Sequence, residues 1–344
     1  MLGDMDVRTD KNTNRPVALS GDRPTGPLHL GHLVGSLNER VKLQDTHDLT
    51  VMIADMQALT VYADNPARIE AAALGLMLDY LSVGLDPDKV RFVQQSGIPA
   101  LSELFMLYLN LVSVNRLQRN PTIKSELAGQ MGGQGASAGF VTHPVSQAAD
   151  ITAFRATAIP VGEDQLPLLE QANEIVARVN ALQGRTILPT IRPILSRTPR
   201  LLGIDGAAKC GKSQGNGIAL IDTPDMVRSK VQSMFTDPQH LKASDPGRIE
   251  GNVVIQYLDA LDDNAEAMAE LKLHYQKGGL GDAVLKKRLV EQIEAVLPPI
   301  RRRRAYYMRD LGAVKALLRN GTMEGRMIAQ ETLTAVRGAF KLAA

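Results

Sequence analysis

Two histidines three positions apart, His29 and His32, stand out as side chains that could hold a ligand. They flank a Leu-Gly pair in the segment SGDRPTGPLHLGHLVGSL, which follows an apolar stretch at 17–20 and enters a predicted helix over 30–43. Backbone N–H groups at the start of such a helix favour phosphate. Histidines at this spacing could also ligate a metal, but no third ligand lies nearby in the sequence. We therefore predict that both histidines donate hydrogen bonds to a phosphate chain, and we predict no metal site.

A second segment, GIDGAAKCGKSQGNGIALIDTP over residues 203–224, places Lys209 and Lys212 in a glycine-rich loop. Cations on a loop that can close and open suit a phosphate leaving group. Gly206 to Ser213 also match the P-loop pattern, which requires a strand before it and a long helix after it. Gln-Gly-Asn-Gly and a strand-like stretch at 218–221 follow instead. The P-loop interpretation is therefore rejected.

Short apolar strands alternate with helices through the first two thirds of the chain. The predicted strands cover residues 17–20, 49–54, 90–94 and 159–162. The predicted helices cover residues 30–43, 67–83, 100–119 and 144–156, and a further helix starts at 163. This alternation predicts βαβ units and an α/β fold with a parallel sheet. The glycine-rich stretch at 129–139 is either a flexible connector, which its composition favours, or a mobile loop near a ligand. The chain after residue 224 is predicted to be largely helical.

Composition excludes several classes of protein. The 344 residues include 39 Lys or Arg and 37 Asp or Glu, so a strongly basic nucleic-acid coat and an acidic solvating chain are both excluded. A single cysteine, Cys210, excludes an internal disulfide and a cysteine-rich zinc module, and it favours a cytoplasmic location. There is neither a long uninterrupted apolar run nor a start typical of a signal peptide, so we expect no membrane partner.

Four consecutive arginines at residues 301–304 begin a C-terminal stretch that is richer in basic than in acidic residues. Charge runs of this kind usually form a solvated helix face. Contact with the phosphates of a nucleic acid is the alternative. The sequence alone leaves both interpretations open.

Together the two segments resemble the signature sequences of the class I aminoacyl-tRNA synthetases, and most closely those of the tryptophanyl branch. His29-Leu30-Gly31-His32 is similar to the HIGH motif, and KCGKS at 209–213 is similar to a degenerate KMSKS loop. Further similar segments follow in family order: IADMQALT at 53–60, THPVSQAADI at 142–151 and PVGEDQ at 160–165. The resemblance extends over about residues 18–342.

The resemblance implies the architecture and the partners. A Rossmann-like catalytic domain is expected over residues 17–224 with a helical insertion at about 105–145, followed by a helical anticodon-binding region over 225–344. Residues 1–16 are expected to be a disordered extension. The implied reaction activates L-tryptophan with ATP and Mg²⁺ and then esterifies the 3′ end of tRNA(Trp). The Mg²⁺ is expected to arrive with the nucleotide, and the chain is expected to form a homodimer.

The resemblance also implies the roles of individual residues. His29, His32, Lys209 and Lys212 are the implied catalytic residues. The residues implied to bind ATP are Arg23, Thr25, Gly31, His32, Gly162, Asp164, Lys209, Lys212 and Ser213. Asp150 is implied to accept the indole N–H, with Gln147, His143 and Gln165 completing the tryptophan site. Without the family, Asp150 would be interpreted as a helix residue that makes a structural hydrogen bond, and Asp164 as a surface helix cap.

Three sites depart from the family pattern. Most members carry Gln where this chain has Arg23, Tyr where it has His143, and Met-Ser where it has Cys210 and Gly211. Arg23 adds a cation near the expected phosphates, and a protonated His143 would repel the substrate ammonium. Loss of the methionine removes a packing anchor from the loop. We therefore expect weaker ATP–pyrophosphate exchange than in members with the usual motifs.

Two alternative functions remain. Tyrosyl enzymes share the fold and the motifs, and Asp150 could equally accept a phenol hydroxyl, although the RPTG and AAD segments favour tryptophan. A divergent second copy could bind tryptophan or a derivative and serve a partner protein. Retention of both histidines and both lysines favours phosphate chemistry over this second alternative.

Overall fold

Five parallel strands form the sheet on which the candidate site is built. The computed structural model describes residues 15–124, 137–195, 201–206, 210–211 and 215–342. The strands within these ranges are β1 Val17–Asp22, β2 Asp48–Ile53, β3 Val90–Gln94, β4 Ala158–Val161 and β5 Arg192–Leu195. They pair in the spatial order β3-β2-β1-β4-β5, and every pairing is parallel. The predicted α/β class is confirmed.

The order of the strands reverses between β1 and β4. β2 and β3 extend the sheet on one side of β1, whereas β4 and β5 extend it on the other. The segments that leave β1 and β4 therefore diverge, and they open a crevice at the carboxyl ends of the strands, which is where ligands bind in open α/β sheets. The backbones of β1 and β2 approach closely at Gly21, where a Cβ would lie 2.4 Å from the Met52 carbonyl oxygen.

Helices enclose this sheet. Those of the first part are α1 Leu30–His32, α2 Asn38–Leu43, α3 Asp55–Tyr62, α4 Pro66–Val83, α5 Pro99–Leu109, α6 Val114–Gln118, α7 Ala138–Ala153 and α8 Leu166–Gln183. Those after the last strand are α9 Pro224–Gln232, α10 Val253–Leu261, α11 Ala265–Lys277, α12 Asp282–Tyr307 and α13 Leu311–Ala339. A π-helical turn, Leu33–Leu37, joins α1 to α2, so the predicted helix over 30–43 forms with one wider turn.

Residues along the strands alternate between two hydrophobic cores, one on each face of the sheet. Ala18, Val51 and Phe92 belong to one core, together with apolar residues of α4 and α12. Their neighbours Leu19 and Met52 belong to the other core, together with apolar residues of α7, α8 and α13. Both faces of the sheet are thus covered over β1 to β4, which explains why these four strands are rich in buried apolar residues.

The last two helices complete these cores. Leu289 and Ile293 of α12 lie fully buried in the first core, and Val336 of α13 lies fully buried in the second. α13 also covers the outer edge of β3, where a Cβ at Gly321 would lie 2.1 Å from the Phe92 carbonyl oxygen. The region after residue 224 is helical as expected. The domain boundary at 224 and the insertion at about 105–145 stay predictions.

Some predicted elements differ from the observed ones. The strand-like stretch at 218–221 makes one antiparallel bridge, between Ala219 and His29, and is no strand of the sheet. β5 was not predicted, because its short sequence RPIL is largely exposed and lacks an apolar run. None of the described helices is both long enough and apolar enough to cross a membrane.

Some predictions fall outside the described residues. They are the extension over residues 1–14, most of the glycine-rich connector at 129–136, and the three loop residues Lys209, Lys212 and Ser213.

Candidate active site

A cavity of about 830 Å³ opens at the carboxyl ends of β1 and β4, where the order of the strands reverses. Ten of the residues predicted to bind substrate line this cavity: Arg23, His29, Gly31, His32, His143, Gln147, Asp150, Gly162, Asp164 and Gln165. Thr25 is absent from its wall; it lies half-buried in the turn after β1, where its N–H donates to the Arg23 carbonyl at 2.9 Å. The sequence motifs therefore converge on one site although they are far apart along the chain.

One end of the cavity is formed by a single face of α7. The spacing of His143, Gln147 and Asp150 places the three side chains on that face, because residues three and four apart are neighbours on a helix. α7 begins at Ser137, whose hydroxyl accepts the Phe140 N–H at 3.1 Å, as a helix cap does. His143 Nδ1 lies 3.2 Å from the Phe140 carbonyl oxygen.

The Asp150 carboxylate is buried at this end, with 5% of the residue exposed, and two glutamines donate to it. Gln57 Nε2 lies 2.8 Å from Oδ2, and Gln95 Nε2 lies 3.0 Å from Oδ1 and 2.9 Å from Oδ2. Burial raises the pKa of Asp150 to about 7; the two amides oppose that rise, and the nearby Asp55 adds to it. Asp150 is a buried acceptor whose charge changes near neutral pH.

Gln57 and Gln95 were not predicted as site residues. Gln57 is in α3, directly after β2, and Gln95 follows β3, so both lie at the carboxyl edge of the sheet. Gln95 also accepts the Gln57 N–H at 3.1 Å. Their positions after two successive strands were the only signal in the sequence, and the pairing with Asp150 depends on how α7 packs.

The other end of the cavity holds the two histidines. Their ring centroids are 3.8 Å apart, and the His29 N–H donates to His32 Nδ1 at 3.3 Å. Because Nδ1 accepts, the neutral His32 ring carries its proton on Nε2, where it can be donated to a ligand. At the cavity wall, the Nε2 of a neutral His32 is therefore the ring nitrogen that is able to donate.

Backbone pairing joins the histidine segment to the segment after the predicted lysine loop. The Leu30 N–H donates to the Ile218 carbonyl, and the Leu220 N–H donates to the Leu28 carbonyl, both at 2.9 Å. Residues 28–30 and 218–220 thus form a short antiparallel ribbon, called here the nucleotide ribbon. His29 lies at its centre, opposite Ala219.

Cys210 brings the lysine-bearing segment against the nucleotide ribbon. Its Sγ lies 3.2 Å from His29 Nδ1, and the residue is buried. Close packing explains the neighbouring glycines: a Cβ at Gly217 would lie 2.6 Å from this sulfur. Asn216 fixes the base of the loop by accepting the Gly211 N–H at 3.0 Å. Cys210, which stands between Lys209 and Lys212 in the sequence, is therefore in contact with His29.

A buried ion pair lies beneath the histidine end. Arg40 donates to Asp22 Oδ2 at 2.6 Å, and the Tyr80 hydroxyl donates to the same oxygen at 2.9 Å. Burial and the Asp22 carboxylate raise the pKa of Tyr80 well above its usual value, so the hydroxyl stays a neutral donor. The Asp22 charge, at the end of β1, is thereby balanced by Arg40, and Arg23 is the next residue along the cavity wall.

The turn after β4 completes the wall. Gln165 Nε2 donates to Asp164 Oδ2 at 3.1 Å, and Thr122 Oγ1 donates to the Asp164 carbonyl at 2.8 Å. A Cβ at Gly162 would lie 2.8 Å from Asp164 Oδ1, so a larger residue there would displace the Asp164 side chain. Among the described residues, no group of three or more His, Cys, Asp or Glu side chains could hold a metal ion.

A parallel sheet with its cavity at the reversal of strand order, beside a His-x-x-His turn, matches one class of enzyme. The family model for tRNA synthetases class I (W and Y) matches residues 11–298. The chain is thus a class I tRNA synthetase of the type specific for tryptophan or tyrosine.

Comparisons with individual proteins narrow this class. The chain is 49% identical to the tryptophan–tRNA ligase of Clostridium longisporum over 94% of this chain and 96% of that one. It is 48% identical to the ligase of the same name from Streptococcus pneumoniae over 95% and 98%. The chain belongs to the tryptophanyl-tRNA synthetase family.

Solved structures are also similar. The tryptophanyl-tRNA synthetase of Campylobacter jejuni complexed with ADP and tryptophan has a TM-score of 0.78 and 28% identity, covering 94% of this chain and 99% of that one. The tyrosyl-tRNA synthetase of Archaeoglobus fulgidus complexed with L-tyrosine has a TM-score of 0.63 and 21% identity, covering 84% and 90%. This second likeness shows a shared fold only.

Proposed function

We propose that the chain activates L-tryptophan with ATP to tryptophanyl-adenylate and transfers the tryptophanyl group to the 3′ end of tRNA(Trp). Its relatives are named for this ligase activity, and the Campylobacter jejuni neighbour carries both ADP and tryptophan. The observation that carries the proposal is that one cavity has a different chemical group at each of its two ends. A buried carboxylate held by two amides lies at one end, and two histidines whose rings are in contact lie at the other.

Asp150 would accept the indole N–H of tryptophan. A buried acceptor rejects an analogue without the matching donor by roughly 10⁴–10⁵, because the acceptor would be left without a partner. The amides of Gln57 and Gln95 donate hydrogen bonds to the two carboxylate oxygens of Asp150. These bonds fix the orientation of the carboxylate, and therefore the direction from which it can accept one more hydrogen bond. Gln147 and His143, on the same face of α7, would line the amino acid, and Gln165 would approach its ammonium or carboxylate.

The adenylation step needs orientation more than acid–base chemistry. A carboxylate oxygen of tryptophan attacks the α-phosphorus of ATP; the new O–P bond forms as the bond to the pyrophosphate oxygen breaks. The nucleophile is already ionised, so no general base is required. Catalysis then rests on positioning the reactants and on donors to the phosphoryl oxygens. His29 and His32 supply those donors, and Arg23 supplies a nearby positive charge.

Further ATP-binding roles are assigned by family position. Gly31 and Gly162 leave room for the nucleotide, with Thr25 and Asp164 beside it. Lys209, Lys212 and Ser213 would meet the departing pyrophosphate from the loop that Cys210 attaches to His29. Mg²⁺ would come bound to ATP and neutralise phosphate charge; no protein residue is assigned to it. The homodimer, a further protein partner, the anticodon role of residues 225–344 and the cytoplasmic location stay predictions.

A tryptophan-dependent ATP–pyrophosphate exchange assay, followed by charging of tRNA(Trp), tests the proposal. Exchange with tryptophan and little exchange with tyrosine is expected, at a rate below that of family members that carry the usual motifs. Exchange with tyrosine alone would identify the tyrosyl alternative. Binding without exchange would identify the non-catalytic second copy. Because the chain contains no tryptophan, fluorescence of bound L-tryptophan reports binding without background from the protein.

A further inference from the structure

The nucleotide ribbon is attached to the rest of the protein through two buried carboxylates. Asp79 of α4, 1% exposed, accepts the Leu28 N–H on Oδ2 at 2.9 Å. Asp222, 2% exposed, accepts the Ala219 N–H on Oδ2 at 2.8 Å. Each strand of the ribbon is thus held by one carboxylate, at a position next to His29 or directly opposite it.

α12 contacts both attachments, but in different ways: it pairs with the Asp79 carboxylate, whereas it bonds only the backbone carbonyl of Asp222, whose carboxylate pairs with Lys230 of α9 at 2.6 Å. Arg304 pairs with Asp79 Oδ1, and the Arg301 Nε donates to the Asp222 carbonyl oxygen at 2.8 Å. Arg303 donates to the Ser82 carbonyl in the same part of α4 as Asp79. Three of the four arginines at 301–304 therefore bind the protein itself. This differs from both expectations for the run, a solvated face and a phosphate contact.

Charge at these positions is not required for stability alone. A buried ion pair gains little over apolar side chains of similar volume, because both charges lose their hydration. The Arg304–Asp79 pair is nevertheless buried, with 18% and 2% of the side chains exposed. Its carboxylate uses the second oxygen for a backbone N–H one residue before His29. The hydrogen bond from the Leu28 N–H to Asp79 is directional, so it fixes the position of the backbone next to His29 more closely than apolar packing would.

We infer that Asp79 and Arg304 are positioning residues for the ATP end of the site, and that α12 sets the place of the nucleotide ribbon and hence of His29 and His32. On the opposite strand of the ribbon, the Asp222 carboxylate is held by Lys230 of α9, and Arg301 adds a hydrogen bond to the Asp222 backbone carbonyl. The tryptophan end is independent of this attachment, since Asp150 is held by Gln57 and Gln95. The kinetic part of this inference rests on the proposed function.

The Arg304→Gln variant tests the inference. It should raise the KM for ATP in tryptophan-dependent exchange, or lower kcat, by about tenfold or more, because small displacements of a reactive group are costly. The KM for tryptophan should stay within about twofold of the wild-type value. Arg304→Lys, which restores the charge, should recover part of the loss. Asp79→Asn, which keeps an acceptor for Leu28, is the second variant if Arg304→Gln does not fold.

Two controls separate positioning from general stability. Arg302→Gln removes the same charge from the exposed neighbour on α12 and should change nothing. Glu324→Gln breaks the Arg91–Glu324 pair, which joins α13 to β3 at 3.2 Å. It should lower the melting temperature while leaving the KM for ATP unchanged. Equal kinetic effects of Arg304→Gln and Glu324→Gln would overturn the inference, and so would a parallel rise of both KM values.

Amide hydrogen exchange provides a readout that needs no activity. In Arg304→Gln, the amides of residues 28–30 and 218–220 should exchange about tenfold faster or more than in the wild type. In Glu324→Gln and Arg302→Gln these amides should keep wild-type rates. Unchanged ribbon amides in Arg304→Gln overturn the inference. A wild type without ATP–pyrophosphate exchange would instead refute the proposed function, and the amide rates would still decide the positioning role.

Discussion

The two ends of the cavity are built differently. At the proposed tryptophan end, one carboxylate on α7 is held by the side-chain amides of Gln57 in α3 and Gln95 after β3. At the proposed ATP end, His29 lies on the nucleotide ribbon with His32 beside it, and hydrogen bonds to Asp79 of α4 and from Arg301 of α12 hold that ribbon. Recognition of an amino acid requires an acceptor in one fixed direction. Transfer at a phosphorus requires donors whose spacing is kept while the phosphates move.

The difference predicts separate kinetic consequences for the two ends. Damage to the ATP end should change the chemical step, and damage to the tryptophan end should change amino-acid use. Substitutions at either end should therefore change the kinetic constants of one substrate and leave those of the other nearly unchanged.

The largest effect is expected at the ATP end, from His32→Ala. Loss of one donor to a developing phosphoryl charge lowers kcat for ATP–pyrophosphate exchange by about 10²-fold or more. The KM for tryptophan should stay within about twofold of the wild-type value. His47→Ala, beyond the end of α2 and outside the cavity wall, is the matched control. A loss confined to the KM for tryptophan would show that the two ends are not separate.

Asp150→Asn should produce the next largest effect, at the tryptophan end. The amide of asparagine would face the donors of Gln57 and Gln95, and its acceptor would be weaker, so kcat/KM for tryptophan should fall by about 100-fold. The KM for ATP should change little. An analogue methylated on the indole nitrogen sharpens the test: the wild type should discriminate strongly against it, and the variant should not. Asp88→Asn, at an exposed position, is the control.

The smallest effect is a pH dependence confined to the tryptophan end. Burial raises the pKa of Asp150 to about 7, and only the ionised form accepts the indole N–H freely. The ionised fraction falls as the pH decreases, so the KM for tryptophan should rise about tenfold from pH 8 to pH 6. Gln57→Leu removes a donor that lowers this pKa and should move the midpoint to higher pH. The same pH step in Asp150→Asn would refute the assignment to Asp150.

Local motifs allowed much of the site to be predicted. His29 and His32 share one turn, and Asp150 follows Gln147 on one helix, so short stretches of sequence identify them. Gln57 and Gln95 could not be recognised as partners of Asp150, because their contact depends on the packing of α7 against two strand ends. Residues that line the cavity are thus easier to recognise in the sequence than the residues that hold them in place.

The arginine run illustrates the same limit. A row of four arginines indicates charge, but Arg304 finds its partner Asp79 in a helix more than two hundred residues earlier in the chain. Such a partner has no local signal. The parallel sheet was predictable because apolar strands and helices alternate, whereas β5 was missed because RPIL is short and largely exposed. Long-range pairings, which the sequence hides, decide the position of the nucleotide ribbon.

The cover that α13 provides for β3 has a consequence during protein synthesis. The ribosome synthesises β3 more than two hundred residues before it synthesises α13. In the folded protein, α13 lies so close to the outer edge of β3 that Gly321 has no room for a side chain. At ribosomal speeds of roughly 5–20 residues per second, that edge waits on the order of 10–40 s for its cover. An uncovered strand edge can pair with another chain. A nascent chain of this protein therefore has an interval in which chaperone contact would be most useful.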